Sequence, residues 1–339
     1  MTTNADGIDI AVLRRGTEGL STDDYATQIS NRLSDYTVRL ARTPREERQI
    51  ITNARVVTGV SLDEKQVRSA DQLEMFACIF SGVDHLPLKT LQEQGVIVTN
   101  ASGIHAPGIS EQVLANILIF ARNVHEGWNR KQNHEWRHYQ ARELCGSTVT
   151  IIGLGSIGQE IAKRLQGFDV HTIGVRYTPE KGGPTDEVLG LDPDALHDAL
   201  ARTEYLVLAC PLTDETKELI SREELITLPP EAVVINVARG GIVDTDALIW
   251  ALRDESIRGA AMDVTEPEPL PPDHPLWYLD NVFITPHMAG HTPKHWDRLA
   301  GILKHNVRTL DQGEYDSMRN VVLSKTDGVK QYVRDKTER

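Results

Sequence analysis

The sequence predicts an α/β protein: a doubly wound parallel sheet together with a second, smaller α/β unit. Three observations carry that prediction. Short apolar, β-branched runs alternate with amphipathic helical stretches along nearly the whole chain, the rhythm of strand–helix–strand units. The stretch Thr148–Gly158, T-V-T-I-I-G-L-G-S-I-G, sets a strand, a glycine turn and a helix start in that order. At 339 residues the chain is long enough for two domains of ordinary size.

Taken in order, Ile8–Leu13, Arg55–Thr58, Phe76–Phe80 and Val96–Asn100 read as strands. Between them Asp23–Leu33, Pro44–Ile51 and Asp84–Gln94 read as helices. The turn Ser81-Gly82-Val83-Asp84 after the fourth run offers free N–H groups, suited to a carboxylate or to a plain strand-to-helix connection. Ile109, Val113, Ile117, Ala121 and Val124 form one apolar stripe, so Ile109–Val124 is expected to be one long helix. Gly127–Arg142 carries Trp128, Trp136 and Tyr139 and reads as an arm over the surface, either a dimer contact or a packed loop. Then Val170–Val175, Tyr205–Cys210, Ala232–Val237, Gly259–Val264 and Val282–Thr285 continue the strand rhythm. The last helix, through Trp296, Leu299, Leu303, Val307 and Leu310, is amphipathic and is expected to return to the first unit. The expected organisation is a smaller unit over residues 1–101, the larger unit over 102–292, a returning helix over 293–323 and a polar, frayed tail over 324–339.

The formal charge of −13 lacks the basic footprint that nucleic-acid phosphates require, so no nucleic-acid partner is expected. Acidic residues spread along the chain and lysine scarce relative to arginine describe a hydrated surface of the kind that suits salt-adapted organisms. No apolar run approaches the roughly 20 residues of a membrane span. Met1–Asp9 has neither the basic region nor the apolar core of a signal peptide, and a cytoplasmic location is the expectation. Cys78, Cys145 and Cys210 are far apart and sit in or beside apolar runs. They form no C-x-x-C pair, so buried free thiols are expected rather than disulfides or zinc ligands.

Gly153, Gly155 and Gly158 keep the G-x-G-x-x-G spacing, with Ile157, Ile161 and Leu165 at helical spacing behind them. Such glycines let the backbone approach a pyrophosphate, and the N–H groups of Ser156 and Ile157 sit at the positive end of a helix dipole. A Rossmann-type dinucleotide site is therefore expected. At the end of the second strand, where a carboxylate takes the ribose 2′-OH of NAD, Val175 is followed by Arg176 and Tyr177. An arginine there suits a 2′-phosphate, with Tyr177, Thr178 and Lys181 near it in sequence. NADP(H) is the preferred cofactor on this reading. NAD(H), with Arg176 stacked on the adenine, is the other.

Three further strand ends carry unusual polar residues: Asn236–Asp244 (N-V-A-R-G-G-I-V-D), Asp263–Pro271 (D-V-T-E-P-E-P-L-P) and Thr285–Gly290 (T-P-H-M-A-G). Ligands of open α/β sheets bind beyond the carboxyl ends of their strands, where all three lie. Together with S-G-V-D (Ser81–Asp84), T-N-A-S-G (Thr99–Gly103), Glu111 and the glycine turn, these motifs resemble the D-2-hydroxyacid dehydrogenase family, over about Phe76–Leu310. Glyoxylate/hydroxypyruvate reductases and phosphoglycerate dehydrogenases are among its members.

The resemblance implies a flavodoxin-like smaller unit, a homodimer, and units that close over a small 2-oxo or 2-hydroxy acid. It makes Arg239, Glu268 and His287 the catalytic set. His287 would pass a proton to or from the substrate oxygen, and Glu268 would orient the imidazole and favour its charged form. Arg239 would bind the carboxylate and polarise the carbonyl. The Ser81, Gly82 and Val83 N–H groups would bind the substrate carboxylate. Asp263 matches the position that hydrogen-bonds the nicotinamide amide. Cys210, Pro211, Thr213, Val237, Ala238, Ala289 and Gly290 would line the cofactor.

Two features depart from the family pattern. His291 replaces a small residue, giving H-x-x-x-H-x-x-x-H from His287 to His295. Pro293 and the T-P-H turn interrupt any helix that could gather these as ligands, so no metal is expected. Trp136 is a candidate to reach a neighbouring subunit. The main alternative is an NAD-dependent phosphoglycerate dehydrogenase, although few residues remain after Leu323 for a regulatory domain. A nucleotide-sensing corepressor is the alternative of another class, disfavoured because the whole Arg/Glu/His set is present.

Overall fold

The computed structural model describes residues 8–17, 19–324 and 328–329. It divides into two units, Met1–Ile104 with Thr292–Arg339, and His105–His291. Most of the expected polar tail, residues 325–327 and 330–339, lies outside the described residues.

Numbered along the chain, the first unit contains β1 (Ile8–Val12), α1 (Thr22–Arg32), β2 (Val38–Leu40), α2 (Pro44–Asn53), β3 (Ala54–Gly59), α3 (Glu64–Arg68), β4 (Met75–Cys78), α4 (Leu88–Glu93) and β5 (Ile97–Thr99). From the end of the chain it adds α11 (His295–Gln312), β13 (Val321–Ser324) and β14 (Gly328–Val329). Its sheet runs β14-β13-β5-β4-β3-β1-β2. The first five strands are parallel in the flavodoxin order, and β13 lies antiparallel on β5. Three of these helices, α1, α2 and α3, start where the sequence supplies caps. Ser21 accepts the Asp23 N–H, and Thr43 with Glu46 and Asp63 with Gln66 form capping boxes. Apolar residues cover both sheet faces, with α2, α3 and α4 on one and α1 and α11 on the other. There the Tyr25 ring stacks on Trp296 at 4.5 Å, and its hydroxyl meets Thr58 Oγ1 at 3.0 Å. Burial holds that hydroxyl protonated far above the usual phenol range.

The second unit contains α5 (Ala106–Ala121), α6 (Val124–Gln132), β6 (Thr148–Ile152), α7 (Ser156–Leu165), β7 (His171–Val175), β8 (Glu187–Leu189), α8 (Pro193–Leu200), β9 (Tyr205–Leu208), α9 (Arg222–Thr227), β10 (Val233–Asn236), α10 (Thr245–Arg253), β11 (Gly259–Met262) and β12 (Val282–Ile284). All seven strands are parallel, in the order β12-β11-β10-β9-β6-β7-β8. The order reverses between β6 and β9, the switch point beyond which α/β sheets take their ligands. Along β6, Ile151 faces the core under α5 and α7, whereas Ile152 faces the core under α8 and α10. That two-sided burial is why the strand reads as an unbroken apolar run. Among the described residues no helix is long and apolar enough to cross a membrane.

The elements differ from the sequence reading in five places. The first is the expected returning helix over 293–323: α11 ends at Gln312, where Gly313 takes φ +71°, and β13 and β14 follow on the sheet, β14 within the expected frayed tail. The expected helix Ile109–Val124 is shifted and split: α5 ends at Ala121, and Asn123 takes a left-handed φ of 48° before α6 begins. Part of the expected arm is therefore helical. Helix α4 starts at Leu88 rather than Asp84, because Pro87 precludes helical backbone at Leu86 and stands as the N-cap. The short strands β2 and β8 escaped notice because V-R-L and E-V-L are half-buried and too brief to show a period. Lastly, Cys145 is exposed, in the turn where Gly146 adopts φ +81° before β6, whereas Cys78 and Cys210 are buried as expected. Burial pushes the Cys78 and Cys210 thiols up to about 11. A disulfide reagent applied to the native protein at pH 8 is expected to titrate one thiol per chain rapidly, and all three only after denaturation. Three rapid thiols in the native state would contradict this packing.

Candidate active site

The glycine turn leaves β6 and enters α7. Gly153 holds φ +101°, and a Cβ there would lie 2.6 Å from the Cys210 backbone nitrogen. A Cβ on Gly158 would lie 1.9 Å from the Gly153 carbonyl oxygen. These two glycines are demanded by the protein's own backbone. Gly155 differs, since nothing lies within 4 Å of where its Cβ would be. That open side faces no protein atom, and the first turn of α7 has no side-chain cap. An uncapped ten-residue helix behind an open glycine is a cradle that a pyrophosphate fits.

Around it, Thr213 donates its N–H to Thr216 Oγ1 at 2.8 Å, shaping the turn that follows Cys210 and Pro211. At the end of β7, the Arg176 N–H donates to the Leu189 carbonyl, and its Nη1 donates to the Gly182 carbonyl at 2.5 Å. Arg176 has no carboxylate partner among the described residues. Tyr177 beside it is largely exposed.

Beyond the neighbouring ends of β10, β11 and β12 lie the three polar segments. Buried Asn236 ends β10. Its Nδ2 donates to the Arg239 carbonyl at 2.9 Å, and its Oδ1 accepts the Ala238 N–H at 3.0 Å. A Cβ on Gly240 would lie 2.1 Å from the Thr265 carbonyl carbon, so only glycine lets the turn after Arg239 pack there. The Arg239 side chain leaves this turn exposed, with Nη1 donating to Ala238 O at 2.6 Å and no carboxylate partner among the described residues. Asp263 follows β11 and is 3% exposed. Its carboxylate accepts from Thr285 Oγ1 at 2.5 Å and from the Met288 and Ala289 N–H groups at 3.0 Å each. Its backbone carbonyl accepts the His287 N–H at 2.7 Å.

Those bonds set His287 at φ +51°, left-handed backbone that a non-glycine residue seldom adopts. His287 Nδ1 lies 2.7 Å from Glu268 Oε1. An ionised carboxylate can only accept, so Nδ1 carries the proton and Nε2 is the free nitrogen. Glu266 takes another position. Its carbonyl accepts Thr245 Oγ1, and its carboxylate lies toward Gly241.

The Ser81–Val83 turn belongs to the other unit. Among the described residues the N–H groups of Ser81, Gly82 and Val83 meet no acceptor, and nothing lies within 4 Å of a Cβ built on Gly82. Asn100 Nδ2 donates to the Ser81 carbonyl at 2.6 Å, Cys78 Sγ accepts the Phe80 N–H at 3.4 Å, and His85 Nε2 donates to the Val60 carbonyl at 2.8 Å. The turn is held from below with its donors left free, the form of an anion nest.

Sequence reading thus named Arg239, Glu268, His287 and the glycines, and the structure brings Arg239, Asp263, Glu268 and His287 to adjacent strand ends of one unit. It missed Asn236, Gly240 and Thr285 as supports, although each stands inside a quoted motif. It also missed His105, whose Nδ1 donates to the Gly290 carbonyl at 2.7 Å. His291 donates its N–H to Met288 O in the turn, whereas His295 is buried at the start of α11. Among the described residues no group of three or more His, Cys, Asp or Glu is arranged to hold a metal ion.

Comparisons with known proteins give this geometry its family. Residues 114–289 match the model of the D-isomer specific 2-hydroxyacid dehydrogenase NAD binding domain. The chain is 32% identical to a glyoxylate reductase of Pyrococcus furiosus, over 75% of this chain and 77% of that protein. It is 30% identical to a D-3-phosphoglycerate dehydrogenase of Methanocaldococcus jannaschii over 91% of this chain, but spans only 60% of that relative's length. Among solved structures, a D-isomer specific 2-hydroxyacid dehydrogenase of Xanthobacter autotrophicus Py2, in complex with NADPH and MES, is 27% identical. It superposes with a TM-score of 0.76 over 93% of this chain and 98% of that one. The chain belongs to the D-isomer specific 2-hydroxyacid dehydrogenase family.

Proposed function

We propose that this protein is an NADPH-preferring reductase of small, unphosphorylated 2-oxo acids, running in reverse as a D-2-hydroxyacid dehydrogenase. The observation that carries the reading is the pairing of two groups at adjacent strand ends. One is an imidazole whose Nδ1 is held by Glu268 and whose Nε2 is free; the other is an arginine with no carboxylate partner among the described residues.

The cofactor's pyrophosphate is assigned to Gly155 and the Ser156–Ile157 end of α7, whose cradle fits it. Arg176, Tyr177, Cys210, Pro211, Thr213, Val237, Ala238, Ala289 and Gly290 are assigned to the rest of the dinucleotide. When bound, the reduced nicotinamide supplies the hydride. The chain's own residues do the remainder. Arg239 binds the 2-oxo acid by its carboxylate and draws electron density toward the carbonyl oxygen. In the first unit, the free N–H groups of Ser81, Gly82 and Val83 are themselves suited to a carboxylate. As the imidazolium, His287 gives its Nε2 proton to the carbonyl oxygen as that oxygen gains charge, leaving the neutral Nδ1–H imidazole that Glu268 holds, and retrieves the proton at Nε2 in oxidation. Glu268 holds Nδ1–H, which fixes the tautomer and steadies the imidazolium.

A phosphorylated substrate, suggested by the Methanocaldococcus relative's name, would need arginines of the first unit, of which Arg39 is exposed with no carboxylate partner among the described residues while two others are engaged. Arg42 is committed to Asp23 at 2.7 Å, and Arg55 to Glu74 and Asp311 at 2.7 and 3.1 Å. NADPH preference is supported by Arg176, which has no carboxylate partner among the described residues, and by the NADPH complex of the Xanthobacter structure. A cytoplasmic homodimer completes the reading. It is supported by three free thiols and by the exposed Trp128 and Trp136 of the arm.

The direct test is oxidation of NADPH and NADH, side by side, with glyoxylate, hydroxypyruvate and phosphohydroxypyruvate. Turnover of the unphosphorylated acids with NADPH is expected, and exclusive turnover of phosphohydroxypyruvate with NADH would overturn the proposal. His287→Ala is expected to lower kcat by about 10²–10⁴-fold, the range of a lost general acid. Unchanged turnover in that variant would sink the mechanism. Arg176→Ala should raise the KM for NADPH by about ten- to a hundredfold, one charged contact, and leave that for NADH nearly unmoved. Equal changes for both cofactors would remove Arg176 from the 2′-phosphate.

A further inference from the structure

The Arg239 guanidinium makes one internal hydrogen bond, to the carbonyl of the residue before it, and stands exposed on an extended backbone of φ −147° and ψ 142°. An exposed arginine of this kind samples many rotamers, so what the fold can fix in advance is the backbone from which the side chain starts. Its backbone is fixed from beneath. The Arg239 carbonyl accepts from two donors, Asn236 Nδ2 at 2.9 Å and the Ile242 N–H at 3.3 Å. The Ala238 N–H is taken by Asn236 Oδ1. Asn236 is wholly buried, so its amide has no water to turn to, and both ends of that amide are spent on the three residues that follow it. Its backbone carbonyl in turn accepts the Asp263 N–H at 3.0 Å, which joins the Arg239 turn to the strand end that holds His287.

We infer that Asn236 is a positioning residue for substrate binding: it touches neither substrate nor the reacting atoms, and acts by fixing where the Arg239 guanidinium begins. The inference rests on the reading of Arg239 given above. A bidentate contact between guanidinium and carboxylate is directional in a way that a point charge is not. A displaced Arg239 backbone therefore weakens both the grip on the carboxylate and the polarisation of the carbonyl. An aspartate at 236 would keep the volume and the acceptor for Ala238 but lose the donor to the Arg239 carbonyl.

The test is a double-substitution cycle on the full-length holoenzyme, with glyoxylate and NADPH. Asn236→Ala is expected to lower kcat/KM on the order of a hundredfold, the cost of a misplaced contact, with KM for glyoxylate raised and kcat reduced. In an Arg239→Ala background the same change should cost less than about twofold, because there is no guanidinium left to place. Asn236→Asp runs the same cycle should the alanine variant fail to fold, and melting temperatures identify that failure. Equal losses in the two backgrounds would assign Asn236 a general structural role and overturn the inference alone, as would an undiminished kcat/KM in the single variants. An Arg239→Ala enzyme with wild-type kcat/KM would overturn the functional reading and this inference with it.

Discussion

One buried carboxylate holds the turn on which the site depends. Asp263 accepts from Thr285 Oγ1, Met288 N–H and Ala289 N–H, and its own carbonyl takes the His287 N–H. Bonds to a charged acceptor contribute about 1.5–3 kcal/mol each, and one non-glycine residue in left-handed backbone costs about 1–3 kcal/mol. Three such bonds outweigh that cost, so the unusual φ of His287 persists and its ring meets Glu268. Asp263 was expected to contact the nicotinamide amide. Three donors from within the chain already engage its carboxylate, so holding this turn is a use that the structure itself displays.

The same device recurs one strand over. A buried polar side chain at the end of β10, Asn236, spends its hydrogen bonds on the loop that follows and leaves a charged side chain free at the edge. Glycines serve where two pieces of backbone must touch: Gly153 on Ala209–Cys210, Gly158 on Gly153, and Gly240 on Thr265. Only Gly155 among the fingerprint glycines is open, so the surrounding backbone does not itself demand glycine there.

Much of this was legible in the sequence, because the two-sided burial of β6, β9 and β10 writes continuous apolar runs and the glycine turn has a strict spacing. Arg239 and His287 stood out as polar residues in turns after such runs, whereas Glu268 was separated from Glu266 only by the resemblance to the family motif, which places the histidine's partner before P-L-P. Their supports did not stand out, since a buried Asn or Asp at a strand end has the composition of any loop. Its role becomes visible only with the N–H groups it caps. Short edge strands such as β2 and β8, and the break at Asn123, were lost for a related reason: three residues or one left-handed residue leave no period to read. Cys145 was misplaced because proximity to an apolar strand is not burial.

Charge is distributed in keeping with the proposal. The first unit ties Arg42 and Arg55 to carboxylates, while Arg239 and Arg176 have no carboxylate partner among the described residues. The measurement that bears most directly on this account is a crystal structure of the protein with NADPH and oxamate, an unreactive analogue of a 2-oxo acid. The account predicts the oxamate carboxylate on the Arg239 guanidinium and its carbonyl oxygen within about 3.2 Å of His287 Nε2, hydrogen-bond reach for proton transfer. Oxamate bound with its carbonyl turned away from His287, or held without Arg239, would contradict it.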